Sequence, residues 1–377
     1  MYISTNEELV SFCARARTFA AVAIDTEFLR EKTYHAKLCL VQVATPDECV
    51  AIDPLSIDDL TPLAELMADV DTLKVFHACS QDMEVLSHTL GVCPAPIFDT
   101  QVAAGFLGER AQCSYHNLVH SFCGVSLPKT ESLTDWSRRP LTPQQIEYAL
   151  DDVRYLIDAY RVIESKLHSL GRMAWVRDEV RALADPEHYK SDPRTAYKRV
   201  KRVNACTRRQ LAIARELAAW REHRAEDRDI PRKWVMSDEV LLALCKRVPK
   251  SVEDFRCVRG TEQLSQRDVE VALGAIERGR RCPSENLPSL PRAHRTPAPE
   301  LESVIDLMYA LIRLVSDRSG VATSLIISRD GLLDYVDHPE RSPLREGWRF
   351  ELVGTLIDDL LRGNIGLTVK DGALEIL

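Results

Sequence analysis

The chain has 377 residues, of which 45% are hydrophobic and 28% charged, and its formal net charge is -8. A single ordinary core rarely grows beyond roughly 250 residues, so two or three domains are expected. No apolar run approaches the ~18 residues that a membrane-spanning helix needs, so no segment is expected to span a membrane. The acidic balance argues against a protein that coats nucleic acid indiscriminately.

The first ten residues are mostly polar, without a basic start and an apolar stretch, and predict no secretory signal. Eleven cysteines are scattered from Cys13 to Cys282, and no two have the Cys-x-x-Cys spacing that zinc and redox sites favour. This pattern favours reduced, mostly buried thiols and a cytoplasmic location.

The first third of the chain contains short segments that are rich in apolar or β-branched residues and bounded by polar turns, which predicts β-strands. They span residues 20–28, 38–45, 48–53 and 72–77. The first three follow one another without a helix between them, so antiparallel pairing is expected, with helical crossovers from Asp58 onward. The economical interpretation is a mixed sheet flanked by helices.

From Leu141 onward the sequence predicts only helices. Thr142 followed by Pro143 is a helix start, and apolar residues recur behind it at helical spacing. Residues 229–231 should form a loop between one helix and another that begins near Ser237.

A proline-rich stretch divides this helical region. Residues 282–300 hold five prolines and few apolar residues, which predicts a linker. Behind it, residues 328–333 repeat in weaker form the pattern of residues 237–242, a serine ahead of a Leu-Leu pair. The repeat suggests a duplicated helical module.

Residues 190–234 form a basic belt, with fourteen lysines and arginines against six aspartates and glutamates. Such a belt is either a solvated helix face, which is the commoner case, or a phosphate-binding patch. By itself the belt favours neither interpretation strongly.

Asp25 and Glu27 are two residues apart on an apolar strand, so both side chains project from one sheet face. Their charges repel each other unless a cation lies between them. Tyr148 and Asp152 are four residues apart on a helix, which places one above the other, where they can serve one site. The alternative for Asp25 and Glu27 is a strand end in solvent, and the alternative for Tyr148 and Asp152 is a surface hydrogen bond.

Asp82 lies just past the strand at residues 72–77, where Ser80 is expected to cap the helix that follows. Its alternative role is to complement the helix dipole in the first turn. A strand carboxylate pair, a carboxylate at a strand-to-helix turn, and a Tyr-Asp pair one helical turn apart together form a more specific pattern than any one of them.

In this order and context the sequence resembles the DEDD exonucleases of the ribonuclease H-like superfamily, in the subclass with tyrosine in the third motif, and more closely the ribonuclease D family. The runs that carry the resemblance are Asp25-Thr26-Glu27-Phe28, Leu38-Cys39-Leu40-Val41-Gln42, Phe76-His77-Ala78, Phe98-Asp99-Thr100-Gln101, Asp135-Trp136-Ser137-Arg138-Arg139-Pro140 and Asp152-Val153-Arg154-Tyr155-Leu156. Residues 208–260 resemble the helicase-and-RNase-D C-terminal (HRDC) domain, and residues 301–377 would be a second, divergent copy.

The resemblance implies an α/β ribonuclease H-like mixed-sheet exonuclease domain followed by two all-α HRDC domains. The implied boundaries are 1–200 for the exonuclease domain, 205–281 for the first HRDC domain, 282–299 for the proline-rich linker and 300–377 for the divergent second HRDC domain.

The implied activity is that of a 3′→5′ exoribonuclease that uses two divalent ions and releases nucleoside 5′-monophosphates. Asp25 would contact both ions, Glu27 and Asp152 one of them and Asp82 the other, while Tyr148 would orient the attacking water. Hard oxygen donors without a nearby cysteine suit Mg²⁺ or Mn²⁺ better than zinc.

Asp151 stands directly ahead of Asp152, where family members often carry a small residue. The Tyr-x-x-x-Asp spacing selects Asp152, and Asp151 should point away by about 100° of helix rotation. If Asp151 were the ligand, Tyr148 would be misplaced.

Lys129, Trp136, Arg138 and Arg154 flank the third motif, where they are candidates for holding phosphates or stacking on terminal bases. The structural alternative is Trp136 in the core and the arginines in ion pairs. His77 is a further candidate for substrate contact, and its alternative is a satisfied histidine at a strand end.

The expected partner is RNA, namely transfer RNA precursors and other structured RNA with 3′ extensions, with a role in transfer RNA 3′-end maturation. No membrane and no obligate protein partner are expected, and the resemblance implies a monomer. A DNA 3′→5′ exonuclease stays open, because a two-metal centre need not contact a 2′-hydroxyl. The alternative outside the enzymes is an inactive RNA-binding scaffold, although all five motif positions are chemically intact.

Overall fold

The computed structural model describes residues 1–128, 134–190, 192–289 and 299–377. Two compact units make up the chain. The first combines Met1–Glu27 with the described parts of Leu38–His188 and His294–Leu377, and the second combines Phe28–Lys37 with the described part of Tyr189–Ala293. None of the helices in these described ranges is long and apolar enough to cross a membrane.

Six of the described strands form one mixed sheet, in the order β1-β4-β3-β2-β5-β6. The strands are β1 (Tyr2–Ile3), β2 (Ala21–Leu29), β3 (Lys37–Ala44), β4 (Cys49–Ile52), β5 (Leu73–Phe76) and β6 (Ile97–Asp99). β3 and β4 pair antiparallel, whereas β1–β4, β2–β5 and β5–β6 are parallel pairs. The four predicted strands are confirmed to within one residue at each end, and the short β1 and β6 were not predicted.

β2 lies between β3 and β5 and carries the acidic pair Asp25 and Glu27. Val22, Ala23 and Ile24 are fully buried, as expected for a strand that is covered on both faces. The strand then continues into Asp25 and Glu27, which are only partly buried. The apolar half of β2 therefore fixes the register of the polar half.

Helices cover this sheet, and several begin with a side-chain cap. They are α1 (Asn6–Ala16), α2 (Thr61–Ala68), α3 (Ser80–Leu90), α4 (Thr100–Gly105), α5 (Tyr115–Cys123), α6 (Pro143–Arg154), α7 (Leu156–Ser169), α8 (Met173–Leu183) and α9 (Pro186–Tyr189). Thr142 and Gln145 form a capping box at the start of α6, which confirms the predicted start. The predicted cap of α3 by Ser80 is wrong, because Ser80 is already helical and the N-cap is Cys79, without a side-chain hydrogen bond.

The second unit is helical around a core that includes Leu217, Leu241, Phe255 and Ile276. After two 3₁₀ turns, Pro193–Arg199 and Val203–Ala205, come α10 (Arg208–Asp227), α11 (Arg232–Val235), α12 (Asp238–Arg247), α13 (Val252–Arg256), α14 (Gln266–Arg280) and a 3₁₀ turn, Ser284–Asn286. The predicted loop at residues 229–231 is confirmed, since it separates α10 from α11. Ser237 caps α12, the helix that was predicted to begin near it. Of the predicted linker, residues 290–298 lie outside the described residues.

The C-terminal segment is helical and then ends in a hairpin. It contains α15 (Pro299–Ser319), α16 (Thr323–Ile326), α17 (Arg329–Asp337), 3₁₀ turns Pro339–Arg341 and Pro343–Arg345, α18 (Gly347–Arg349), a π-helical turn Phe350–Gly354, α19 (Thr355–Arg362), β7 (Leu367–Lys370) and β8 (Ala373–Ile376). β7 and β8 pair antiparallel, so the prediction of helices alone beyond Leu141 is wrong here. Ser328 caps α17 as Ser237 caps α12.

The C-terminal segment packs against α4 and α8 within the first unit. The Trp348 ring stacks on Trp175 with ring centroids 5.5 Å apart and meets Phe106 edge-on at 5.0 Å. Arg349 donates to both carboxylate oxygens of Glu179, at 2.7 and 2.9 Å, and Trp348 Nε1 donates to one of them at 3.0 Å. These contacts fix the segment to the helices that cover the sheet.

Candidate catalytic site

Three carboxylates from two elements meet beside the centre of the sheet. Asp25 and Glu27 project from β2, and Asp152 lies near the end of α6. Each offers one oxygen, and these oxygens all lie within 4.8 Å of one another. The structure thus brings together the strand pair and the helix aspartate that the sequence pattern singled out.

Asp82 lies in the first turn of α3 and is 7% exposed. Its Oδ1 accepts a hydrogen bond of 2.5 Å from the Thr26 hydroxyl, which ties it to the residue between Asp25 and Glu27. The Asp99 carboxylate accepts from the backbone amides of Ala78 and Cys79, where Ala78 has a φ of 61°. Asp99 therefore fixes the strand-to-helix turn that carries Asp82.

Burial raises the pKa of every carboxylate in this group, and repulsion within the group adds to the rise at Asp25 and Glu27. The pKa of Asp25 lies well above its usual range, because of burial first and then the charges of Asp82, Asp152 and Glu27. Burial and the charges of Asp152 and Asp82 raise the pKa of Glu27 to about 8. Burial is the main reason that the pKa values of Asp82 and Asp152 rise to about 7.

The group has no positive partner in the described part of the chain, where no lysine or arginine forms an ion pair with Asp25, Glu27, Asp82 or Asp152. Three converging carboxylates, with the charge of Asp82 acting on Asp25 and Glu27, are costly to keep ionised without a cation. Their donor atoms are all hard oxygens, the ligands that Mg²⁺ and Mn²⁺ favour. The donor set therefore fits divalent ions of this class.

Tyr148 lies one turn before Asp152 on α6, with its ring stacked on Trp136. Burial, followed by the charges of Asp152, Glu27 and Asp25, raises the pKa of Tyr148 to about 12. Its phenol is protonated at neutral pH and can donate a hydrogen bond into the site.

Asp151 faces a different partner. Its carboxylate forms an ion pair of 2.7 Å with Arg154 on the same helix, and it is absent from the group of converging oxygens. This geometry agrees with the choice of Asp152 from the helical spacing.

The structure places the candidate substrate contacts in varied surroundings. Trp136 is 5% exposed, so its ring is packed in the core and is not open to a base. The exposed Arg138 pairs with Asp135 at 3.1 Å, and Arg154 pairs with Glu147 at 2.6 Å as well as with Asp151. The surroundings of Trp136 and Arg154 favour the structural alternatives.

Both ring nitrogens of His77 have protein partners, the Thr100 hydroxyl at 3.0 Å and the Cys113 carbonyl at 3.1 Å. This favours the satisfied histidine over a substrate contact. Lys129 lies outside the described residues.

Thr26 and Tyr115 are neighbours of the site that the sequence patterns did not reveal. The Tyr115 hydroxyl accepts from the backbone amide of Tyr155 at 3.3 Å, and burial, followed by the charges of Asp152 and Asp25, raises its pKa. The position of Thr26 between two motif carboxylates is a sequence signal that could have indicated its place at the site. Tyr115 is an aromatic residue at the start of a helix, and its sequence context carries no such signal.

Two family models match this chain, one described as 3′-5′ exonuclease over residues 1–168 and one described as HRDC domain over residues 210–269. A protein named Ribonuclease D from Jannaschia sp. is 39% identical, over 100% of this chain and 98% of the relative. Another Ribonuclease D, from Nitrobacter hamburgensis, is 38% identical over 98% of this chain and 97% of the relative. The chain belongs to the ribonuclease D family.

A solved structure supports the same assignment. The crystal structure of Escherichia coli RNase D, described as an exoribonuclease involved in structured RNA processing, matches with a TM-score of 0.81 at 30% identity, over 96% of this chain and 98% of that chain. The predicted fold, a mixed-sheet exonuclease domain followed by a helical HRDC domain, is confirmed. Ribonuclease D membership also confirms the predicted class of activity, a 3′→5′ exoribonuclease.

Proposed function

We propose that Asp25, Glu27, Asp82, Tyr148 and Asp152 form the catalytic centre of this exoribonuclease, and that the four carboxylates hold two divalent ions, Mg²⁺ or Mn²⁺. The observation that carries the proposal is the convergence of three carboxylate oxygens within 4.8 Å. Asp25 is repelled by Asp82 as well as by Glu27 and Asp152, which supports a central place for Asp25 among the ligands.

Divalent ions in such a centre supply positive charge that activates water and stabilises the departing 3′-oxygen. The chain's own groups provide the rest. Asp25, Glu27, Asp82 and Asp152 orient their oxygens from two fixed elements and one fixed turn. Tyr148 donates a hydrogen bond from its protonated phenol and so orients the attacking water, and positioned groups of this kind contribute ~10² to 10⁴-fold in rate. The products are nucleoside 5′-monophosphates released from a 3′ end.

Asp25→Asn tests the centre, with Asp151→Asn as the matched control because Asp151 is the neighbouring acid outside the group. We expect Asp25→Asn to lower kcat on a 3′-labelled RNA by at least ~10²-fold, since it removes a charged ligand that acts on the transition state. Asp151→Asn should leave kcat within about 2-fold, because Asp151 pairs with Arg154 and offers no oxygen to the converging group. RNA binding should survive in both variants. Full activity in Asp25→Asn would refute the site.

Calorimetric titration with Mn²⁺ separates an active centre from an RNA-binding scaffold. We expect saturable binding by the wild-type chain and weakened binding by Asp25→Asn, because one shared carboxylate is lost. A wild-type titration without a saturable site contradicts the metal centre. Competition between 3′-labelled RNA and DNA of equal sequence measures which nucleic acid is preferred.

Structured RNA with a 3′ extension, such as a transfer RNA precursor, is the proposed substrate, and a cytoplasmic location is part of the proposal. The choice of substrate is supported by the similarity to the Escherichia coli enzyme, which is described as involved in structured RNA processing. Incubation with a 3′-extended transfer RNA, with and without chelator, should show metal-dependent shortening of the 3′ end. A 3′ end that stays at its original length with Mg²⁺ or Mn²⁺ present contradicts this substrate.

We also propose domains at residues 1–200, 205–281 and 300–377, joined in part by the linker at 282–299, with the first HRDC domain holding RNA. Much of the basic belt in the second unit serves the fold, because Arg194, Arg215, Arg221, Arg224, Arg228 and Arg232 all form ion pairs. In the described part of the belt, the exposed cations without an ion pair include Lys198, Lys201, Arg202 and Lys233, and Trp234 is 51% exposed beside Lys233 in sequence.

Reversal of two of these unpaired cations tests the RNA-holding surface. Lys201→Glu combined with Arg202→Glu should weaken RNA binding and reduce the slope of log affinity against log salt by about 1 per lost phosphate contact. Arg247→Gln is the control, since Arg247 is paired with Asp254. An unchanged salt slope in the double variant contradicts this surface.

A further inference from the structure

Arg139 forms a dense hydrogen-bond network with the sheet. The Asp53 side chain that follows β4 is fully buried, and its two oxygens accept from Arg139 Nε and Nη2 at 2.6 Å each. Arg139 Nη2 also donates to the Cys39 carbonyl of β3 at 2.7 Å. Its Nη1 donates to the carbonyls of Trp136 and Arg138, at 2.8 Å each.

This network anchors the loop at residues 136–140 to β3 and β4. A guanidinium carries five donors in a rigid planar fork, so it can hold a carboxylate and three carbonyls in one arrangement. Asp53 is itself fixed by the hydroxyls of Tyr2, at 2.5 Å, and Ser56, at 2.8 Å. Burial alone would raise the pKa of Asp53, but the hydrogen bonds from Arg139, Tyr2 and Ser56 lower it to about 2.

The anchored loop places Trp136 against Tyr148. The two rings stack with centroids 6.1 Å apart and planes 25° apart. In the part of the chain that the structure describes, no side chain or backbone group forms a hydrogen bond with the Tyr148 hydroxyl. Packing of the Tyr148 ring therefore sets the direction of its phenol, and Trp136 provides a rigid face for that packing.

We propose that Trp136, held by the Arg139–Asp53 network, is the positioning residue for Tyr148 in catalysis. This inference rests on the role proposed above for Tyr148. Trp136 acts through the tyrosine and not on the RNA, because its own ring is buried. Its loss should lower kcat and leave KM unchanged, since a displacement of about 1 Å in a reacting group can cost up to ~10²-fold in rate.

A double-mutant cycle tests the inference in the full-length chain with Mn²⁺ and a 3′-labelled RNA. Trp136→Leu should lower kcat by ~10-fold with KM within ~2-fold, as expected for loss of transition-state positioning. Tyr148→Phe should lower kcat at least as much. The double variant should match Tyr148→Phe alone, because without the phenol there is nothing left for Trp136 to position.

Three further variants separate positioning from general destabilisation. Phe12→Leu removes buried aromatic volume in α1, which contributes no residue to this network, and should lower the melting temperature without lowering kcat at an assay temperature well below it. Trp136→Phe keeps an aromatic face and should restore most of kcat. Arg139→Lys keeps the charge beside Asp53 but loses the fork, so it should lower kcat, again with no further loss in the Tyr148→Phe background.

The outcomes discriminate between the inference and the function on which it rests. Full kcat in Tyr148→Phe overturns the role of Tyr148 and the inference with it. If Tyr148→Phe lowers kcat but the losses of the two single variants multiply in the double variant, only the inference is overturned. A raised KM with unchanged kcat in Trp136→Leu also overturns it, in favour of contact with RNA. If Trp136→Leu does not fold, the cycle with Arg139→Lys decides on the same criteria.

Discussion

At the scale of single residues, the converging carboxylates lower the stability of the fold in the arrangement that serves the reaction. Asp25, Glu27 and Asp152 hold like charges within 4.8 Å, and Asp82 adds its repulsion to Asp25. Side chains whose arrangement serves a reaction often oppose folding, so their replacement tends to stabilise the protein. The metal-free chain should carry this cost in full.

We therefore expect Glu27→Gln to raise the free energy of unfolding of the chelated protein, by roughly 0.5 to 2 kcal/mol. The amide keeps the size of the side chain and removes a group whose pKa is about 8 in the fold, so that it must either take up a proton on folding or carry a repelling charge. With Mn²⁺ the order should reverse, because the ion binds the folded wild type more tightly and stabilises it by mass action. Scanning calorimetry with chelator and with Mn²⁺ measures both differences. A lower melting temperature of Glu27→Gln in chelator would contradict the repulsion.

The motif residues were predictable from the sequence because their spacing is local. Asp25 and Glu27 share a strand face, and Tyr148 and Asp152 share a helix face, so the period of each element fixes their relation. The support around them joins distant parts of the chain. Arg139 reaches Asp53 across 86 residues, and no periodicity within one element indicates such a contact.

At the scale of elements, α14 and α10 approach closely because of one glycine. A Cβ at Gly279 would lie 2.4 Å from Ile213 Cα and 2.7 Å from the Ala212 carbonyl oxygen, both backbone atoms of α10. Gly274 is on the same helix, and the nearest atom to its Cβ would be Arg278 Nη1 at 3.6 Å, an ordinary contact. The two glycines therefore differ in what they permit.

Gly279→Ala should lower the free energy of unfolding of the second unit by ~1 to 3 kcal/mol or more, since two helix backbones must move apart. Gly274→Ala should raise it by ~0.5 to 1 kcal/mol, because the unfolded chain loses less conformational entropy on folding with alanine than with glycine at this position. Denaturant unfolding followed by far-ultraviolet circular dichroism measures both. Equal effects of the two substitutions would contradict the close approach.

The ends of the chain show where local sequence signals were available and where they were not. The C-terminal hairpin has a recognisable turn, since Asp371 and Gly372 both have positive φ, 51° and 80°, between alternating residues of β7 and β8. That Asp-Gly signal was present in the sequence. β1 is only two residues long and pairs with β4, so it depends on a contact that no local pattern encodes.

At the scale of the whole molecule, the C-terminal segment belongs to the same compact unit as most of the catalytic sheet. Trp348 is 3% exposed between Trp175 and Phe106, and Arg349 pairs with Glu179 beside it. Deletion of residues from 282 onward would uncover that apolar surface on α4 and α8. Such a deletion tests stability before it tests RNA binding, so single substitutions in the full chain are the cleaner experiment.

Trp348→Ala should lower the free energy of unfolding of the first unit by roughly 3 to 5 kcal/mol, as for other buried aromatic truncations. Trp234→Ala, which removes a tryptophan that is 51% exposed, should change stability by no more than about 0.5 kcal/mol. Calorimetry gives the melting temperatures, and residual RNA hydrolysis after brief heating reports on the active site. Because Asp25 and Trp348 belong to one unit, activity in Trp348→Ala should be lost at the lowered melting temperature. Retention of activity above that temperature would show that the segment unfolds independently of the catalytic site.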